Sequence, residues 1–568
     1  MRPRTLRDRE VGVKSRLSSE DIINGFDSIE KLDLYKTLEG HEGCVNTLKW
    51  NETGSLVASG SDDTHVKLWD IEGDCKCTYS TSHTGNIFGV VFVPGMSDSY
   101  VMTCAGDGNV ILTNLETKDE VSKWSSLGPR VKRLASCTYT PNICWSVSED
   151  RFVRMHDTRS PDSDVKFKIG YAGKSIDASD LQTHWIAVGS ESTCTTIHDI
   201  RNTRKPILSL APLDMGSQDP YYVTHVAFAR RSNTLIANYG RGSTYLFDLS
   251  DCSQESVFCK DIDKIHQIDM SECARSVDSP FSTSVQNGLE RAQSLLSDLH
   301  YVEALSLLTS ILRRQDLTSS ERAYCFLKRS SVLSARRREG DSYAAAKDAL
   351  TASLLLPSDS QPILQLIHLL LKMEQIDLCF EIIDLFKKRF PERVDDLNAT
   401  EEALQTFSHE ISHRRSRNLR RNATLRIDYY SRYSGHINDA TDVKEAAFWG
   451  PNEEFILAGS DSGHIFVYNR STAEIVTLLK ADSHIVNVIQ SHPFLPLLAS
   501  SGLDNGFLLF SPYNSSPMPN PPFQSNRTSY TQTESSLARL YSRNLVLSNL
   551  LVNRFVTHDS EQETCQVS

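Results

Sequence analysis

The chain has 568 residues, of which 39% are hydrophobic and 23% charged, and carries a net charge of −12. This acidic balance argues against a general nucleic-acid binder, and no apolar run reaches the roughly 20 residues needed to cross a bilayer. The opening residues Met1-Arg2-Pro3-Arg4-Thr5-Leu6 carry charge without an apolar stretch, so no secretory signal is read there, and the odd, scattered set of 13 cysteines suits a reducing compartment with unpaired thiols.

Residues 1–30 alternate charge with sparse apolar positions and are read as an N-terminal arm of one or two short helices. An alternating strand follows, Leu32-Asp33-Leu34-Tyr35-Lys36-Thr37-Leu38. From Leu38-Glu39-Gly40-His41 to Val66-Lys67-Leu68-Trp69-Asp70 the sequence reads as one four-stranded blade of a WD-repeat β-propeller, with a Gly-His start, a Gly-Ser-Asp-Asp turn and a Trp-Asp finish. Aligning on the terminal Asp gives Asp70, Asn114, Asp157, Asp199, Asp248, then Asn469 and Ser511. The steps are 44, 43, 42 and 49, then 221, then 42, against about 40–45 residues per blade. Seven residues before the ladder position stand Asp63, Asp107, Asp150 and Asp504, at the tight turn between second and third strands. Ser192 and Arg241 break that marker, and Asp461 is displaced by one. The expectation is a seven-bladed propeller: blades one to five over 31–250, an α-helical insertion between blades five and six, and blades six and seven over 431–512.

His41, Ser59, Asp63 and Trp69 form a set with a structural role. A buried imidazole, hydroxyl, carboxylate and indole must satisfy one another, which reads His41 as a core histidine, with His83 and His436 as weaker copies. Blade seven stops after its third strand at Phe507–Phe510, so the strand at 32–38 is expected to complete it and remove two open edges. Cys75 and Cys77 lack metal-ligand spacing, and no metal or cofactor is expected. The sequon at Asn526-Arg527-Thr528 is expected to be unused.

Between Asp248 and Tyr430 the period becomes helical. A linker is assigned to 251–283 and a helical domain to 284–400, with helix pairs at 288–314, 323–357 and 363–391. Pro357 and Pro391 stand 34 residues apart, the length of a tetratricopeptide repeat. Tyr301 with Ala304, and Tyr343 with Ala346, supply the aromatic and small positions that let paired helices approach. Lys328 and Arg329 either face the groove of such a stack or lie on a solvated face. A basic linker at 401–430 holds Arg414, Arg415, Arg417, Arg420 and Arg421, read as a nuclear-import or acidic-partner patch or as an exposed helix end. The tail at 513–568 is Ser/Pro/Asn-rich and read as mostly disordered, apart from an amphipathic helix expected over Leu537–Phe555.

A propeller with a helical domain in one of its loops resembles the WD and tetratricopeptide repeats protein family. The resemblance covers nearly the whole chain and rests on the stretches at 38–46, 56–63, 83–88 (His-Thr-Gly-Asn-Ile-Phe), 130–133 (Arg-Val-Lys-Arg) and 187–189 (Ala-Val-Gly). It implies a substrate receptor for a cullin-4 RING ubiquitin ligase, with a role in limiting fat storage. Two strings carry that implication, His156-Asp157-Thr158-Arg159 and His198-Asp199-Ile200-Arg201, because blades three and four of that family end in Asp-x-Arg. Arg159 and Arg201 would present five-donor heads to carboxylates and carbonyls of the ligase's adaptor, while Asp157 and Asp199 anchor the turns. His156 and His198 depart from the family's usual Trp at that position. The competing reading is a local strand-end salt bridge. Residues 5–25 are the candidate for an adaptor-binding helix.

No phosphate loop, HExxH, nucleophile elbow or clustered Cys/His set is found, so the chain is read as a non-catalytic subunit with protein substrates as its further partners. The alternative is a chromatin-associated corepressor scaffold that binds histones or a histone deacetylase without ligase duty. Both readings place the chain in cytoplasm and nucleus.

Overall fold

The computed structural model describes residues 29–512, except 97, 126–128, 161–162, 214, 216–220, 251–256, 269–281, 313, 315, 337–339, 374 and 398–426. The candidate adaptor helix at 5–25, the arginine patch from Arg414 to Arg421 and the tail from 513 lie outside the described residues.

The described strands form seven four-stranded antiparallel sheets. Sheets one to four occupy residues 45–80, 87–125, 131–168 and 173–210; sheet five begins at 222, sheet six covers 446–480 and sheet seven begins at 486. The first strand of each sheet contacts that of the next, and the first strand of sheet seven returns to that of sheet one, so the sheets close into a ring. Strand Asp33–Leu38 pairs antiparallel with strand Phe507–Ser511 and completes sheet seven, from Asp33↔Ser511 to Leu38↔Phe507. Closure by the first described strand leaves that junction without a free pairing edge on the inner strands.

The sequence ladder is a ladder in space. In sheets one to six the first residue of the second strand stands opposite the ladder residue: Leu56↔Asp70, Tyr100↔Asn114, Ile143↔Asp157, Trp185↔Asp199, Thr234↔Asp248 and Phe455↔Asn469; in sheet seven Leu498 stands opposite Phe510, and Ser511 pairs with Asp33 instead. Ladder residues therefore sit at equivalent points on one rim. The first strands of all sheets but six slip register near their start, as between Val131 and Arg133 and between Gly173 and Ser175. Such a bulge leaves one residue unpaired and re-aims it. Lys132 and Lys174 occupy two of these positions. Both ammonium groups lie 3.0 Å from Asp442 Oδ2, which reaches them from the loop before sheet six. Burial pushes the Asp442 carboxyl up, but the two lysines outweigh it and hold it at about 2.

The insertion lies inside sheet five and not between blades five and six as the spacing suggested. Strand Ser431–Tyr433 follows the helical region and pairs with strand Thr244–Asp248, Thr244↔Tyr433 to Leu246↔Ser431, as the fourth strand of sheet five. Three residues are too short for a period-two pattern to show in sequence. The segment expected to be a linker also holds helix α1 (Val257–Gln267), whose Ile262 and Ile265 are fully buried. Antiparallel helices follow: α2 (Thr283–Ser297), α3 (Tyr301–Leu312), α4 (Ser319–Arg336), α5 (Asp341–Leu355), α6 (Gln361–Lys372) and α7 (Ile376–Arg389). Thr318 and Glu321 cap α4 reciprocally: Glu321 N–H donates to Thr318 Oγ1 (3.2 Å), and Thr318 N–H to Glu321 Oε2 (2.9 Å).

One hydrophobic cluster runs from sheets four and five into the helices, joining Leu210, Val223, Tyr245 and Phe247 to Ala346, Leu350, Ile363 and Phe386. Asp428 is the polar centre of that junction. Its Oδ2 accepts from Tyr343 Oη and Lys347 Nζ of α5, each at 2.7 Å, and its Oδ1 accepts from Leu213 N–H at 3.1 Å. Lys347 also donates to Tyr429 O (2.6 Å) and lies 3.9 Å from the Tyr429 ring centre. The helical domain thus packs against the ring as a continuation of its core. Among the described residues, no helix is long and apolar enough to cross a membrane.

Candidate partner-docking site

A strand that ends in an exposed turn leaves an orphan amide two residues on, and an Asx side chain at its end can accept from it. Five ladder residues do so. Asn114 Oδ1 accepts from Glu116 N–H (2.9 Å), Asp157 from Arg159 (3.0 Å), Asp199 from Arg201 (2.9 Å), Asp248 from Ser250 (2.9 Å) and Asn469 from Ser471 (3.0 Å). In sheet one Asp70 accepts from Asp74 N–H instead (2.7 Å). The acidic residue of each box is therefore a turn-former common to the ring. The second residue past it is Glu72, Glu116, Ser250 or Ser471 elsewhere, and arginine only in sheets three and four.

Each arginine folds back on its own aspartate. Arg159 Nε and Nη2 donate to Asp157 Oδ1 and Oδ2 at 2.8 and 2.7 Å; Arg201 does the same to Asp199 at 2.9 and 2.6 Å. Hydrogen bonding from Arg201 holds the Asp199 carboxyl at about 2, and Arg159 lowers that of Asp157. The strand-end salt bridge anticipated from sequence exists in both boxes. Yet the arginine side chains remain 67% and 63% exposed, against 20% and 19% for the aspartates. An exposed ion pair contributes only about 0–1 kcal/mol to stability. The pair instead fixes a guanidinium flat on a two-residue turn, with Nη1 unpartnered among the described residues. Two such heads occupy the same position on neighbouring sheets, and so the same rim.

The histidines before the boxes take the place that Trp69 holds in sheet one. There the indole Nε1–H donates to Ser59 Oγ (2.9 Å), His41 Nε2 lies 2.8 Å from the same oxygen, and His41 Nδ1 lies 2.9 Å from Asp63 Oδ2. His83 repeats this with Thr103 (3.0 Å) and Asp107 (3.1 Å). His436 does not: its ring meets Tyr468 Oη (2.9 Å) and Asn238 Oδ1 (3.3 Å), because Asp461 is taken by Lys444. In sheet three His156 Nε2 reaches Ser146 Oγ (2.8 Å), the counterpart of Ser59, and its ring packs on Trp124. In sheet four Val188 stands at the serine position, so His198 turns to Thr196 Oγ1 (3.1 Å) and stacks on Phe167 at 4.2 Å. Burial pulls His156 down to about 3 and His198 to about 4. Both rings stay neutral beneath the arginines and add no charge repulsion.

Of the residues expected in the helical groove, Arg329 is committed elsewhere, forking Asp348 at 2.7 Å through Nε and Nη2. Lys328 Nζ donates to Gln293 Oε1 (2.8 Å). The groove between α3, α4 and α6 is lined by polar residues that include Ser331, Ser334, Gln365 and His368. The polar knot of Lys132, Lys174 and Asp442 is not legible in the sequence, since Asp442 lies 310 and 268 residues from the two lysines.

The ring of four-stranded sheets, the Asx turns and the His–Ser–Asp–Trp set define a WD-repeat propeller protein with a helical insertion. The WD domain, G-beta repeat, family model matches residues 32–70 and 428–469. The chain resembles the WD and tetratricopeptide repeats proteins over most of its length: it is 29% identical to mouse WD and tetratricopeptide repeats protein 1 over 90% of this chain and 89% of the relative. It is 25% identical to Protein ALTERED SEED GERMINATION 2 of Arabidopsis thaliana over 86% and 87%. Human DDB1- and CUL4-associated factor 6 is 22% identical over 90% and 91%.

Proposed function

We propose that this chain is a seven-bladed propeller with a tetratricopeptide-type insertion, and that it serves as substrate receptor of a cullin-4 RING ubiquitin ligase. The observation that carries the reading is the pair of exposed, pre-set guanidinium groups of Arg159 and Arg201 at equivalent points of adjacent sheets. The relatives named DDB1- and CUL4-associated factor suggest the partner: DDB1 would be the adaptor that receives both heads. Carboxylates or carbonyls on the adaptor would compete with or share the Asp157 and Asp199 forks, so docking needs little reordering of the arginines. The chain's contribution is proximity, which raises the effective concentration of substrate near the catalytic subunits. Protein substrates would engage loops of the other rim or the helical groove. Loss of the receptor would release its substrates, and limiting fat storage is the physiological role in line with the resemblance. The proposed locations are cytoplasm and nucleus.

Affinity purification with quantitative mass spectrometry, comparing wild type with Arg159→Ala/Arg201→Ala, tests this. The adaptor and cullin should accompany wild type and be lost from the variant. If neither form carries the adaptor while chromatin proteins accompany both, the scaffold reading replaces it.

A further inference from the structure

The tail holds a pattern that adaptor docking does not use. From Leu537 to Phe555 there are three arginines and no Asp or Glu. At 100° per residue, Leu537, Leu540, Tyr541, Leu547, Leu551 and Phe555 share one helical face, while Arg539, Arg543 and Arg554 gather on one flank. An isolated helix of this length is marginal in water and gains its stability by burying such a face.

A surface of matching chemistry lies where the chain leaves the ring. A cavity of about 460 Å³ separates the outer strands of sheets six and seven. Its floor is apolar, from Leu32, Leu34, Leu479, Leu508 and Phe510. Its rim carries Asp33, Glu39 and Asp504 against a single Lys480, while Asp482 is buried beneath, accepting from the amides of His484, Ile485 and Asp504. The two flanking strands, Asp33–Leu38 and Ile475–Lys480, are each the last in their sheet. Strand Phe507–Ser511, which contributes Leu508 and Phe510 to the floor, is the last described strand of the chain. About 25 residues, 512–536, separate it from Leu537. A flexible linker of that length spans roughly 25–30 Å, and a proline-rich one more. A tether of this kind gives a local concentration on the order of millimolar.

We propose that residues 537–555 dock in cis on this groove, laying the apolar face on the floor and the arginines against the acidic rim. The opposite terminus is a poorer match, because it mixes Asp8 and Glu10 with its arginines and its apolar positions are sparse.

Hydroxyl-radical footprinting of the full chain, read at Leu34 and Leu508, tests this. Leu540→Asp/Leu547→Asp in the tail should raise labelling at both positions severalfold. Glu39→Arg, at an exposed residue that makes no hydrogen bond or ion pair among the described residues, should raise it as well, and Arg543→Glu added to Glu39→Arg should lower it again. Labelling in wild type equal to that of a chain ending at 512 overturns the proposal. So does protection that disappears only when residues 1–28 are removed, which assigns the groove to the N-terminal arm. Protection that disappears on dilution overturns it in favour of a second copy.

Discussion

Replacing Asp428 with alanine should loosen the helical domain from the ring. The carboxylate satisfies Tyr343 Oη, Lys347 Nζ and Leu213 N–H, and its side chain is only 4% exposed. Removing one partner of a buried ion pair costs about 3–5 kcal/mol. Lys347 is 25% exposed and keeps Tyr429 O as acceptor, so the expected loss is smaller, about 2–4 kcal/mol. For a cooperative unit of a few hundred residues this lowers the melting temperature by roughly 4–8 °C. Asp428→Asn, which retains an acceptor but not the charge, should fall between. Calorimetry gives the melting shift, and amide exchange across residues 427–433 locates it. Melting of Asp428→Ala at the wild-type temperature, with exchange at 427–433 unchanged, would refute the coupling. Separate melting of ring and helices in the wild type would also refute it.

Three further outcomes follow from the same reasoning. Ser59→Ala leaves the Trp69 indole N–H without an acceptor in a fully buried site, and should cost about 1–3 kcal/mol, read from the denaturant midpoint. Glu321 is held at about 2 by the amides of Thr318 and Ser282, below its ordinary value near 4.3. A lowered carboxyl stabilises the fold above its unfolded value and loses that contribution as pH falls toward the folded one. Glu321→Gln should therefore be less stable than wild type at neutral pH and the two should converge between about pH 4 and pH 2. Asp442→Asn should hasten amide exchange at the starts of the first strands of sheets three and four, because Lys132 and Lys174 lose one shared counter-ion and are left with Glu149, which both also approach, and with Glu191 at Lys174; unchanged exchange there would contradict it.

Local features of this fold are legible in the sequence, and long-range ones are not. The ladder from Asn114 to Asn469 works because each residue accepts from the amide two positions on, so spacing and residue type recur together. The spacing that draws attention to Arg159 and Arg201 is likewise local, an i, i+2 contact on one turn. The fourth strand of sheet five is three residues long and lies beyond the whole helical region, so neither period nor spacing marks it. The destination of Asp442, and the choice of His436 between Asp461 and Tyr468, depend on which segments the ring brings together. For Arg329 the sequence leaves a groove-facing and a solvated position open, and it is the return of α5 that pairs it with Asp348.

The central claim is that the two arginines act as docking groups and not as structural ones. Titration of purified adaptor against the wild-type chain, each single alanine variant and the double variant decides it most directly, with thermal melting of the four proteins alongside. Each substitution should weaken adaptor binding measurably, and the double variant more than either single one, while the melting temperature stays essentially that of wild type. Unchanged adaptor affinity in the double variant, or weakened binding that tracks a large loss of folding stability, would contradict the account and return Asp157–Arg159 and Asp199–Arg201 to the role of strand-end ion pairs.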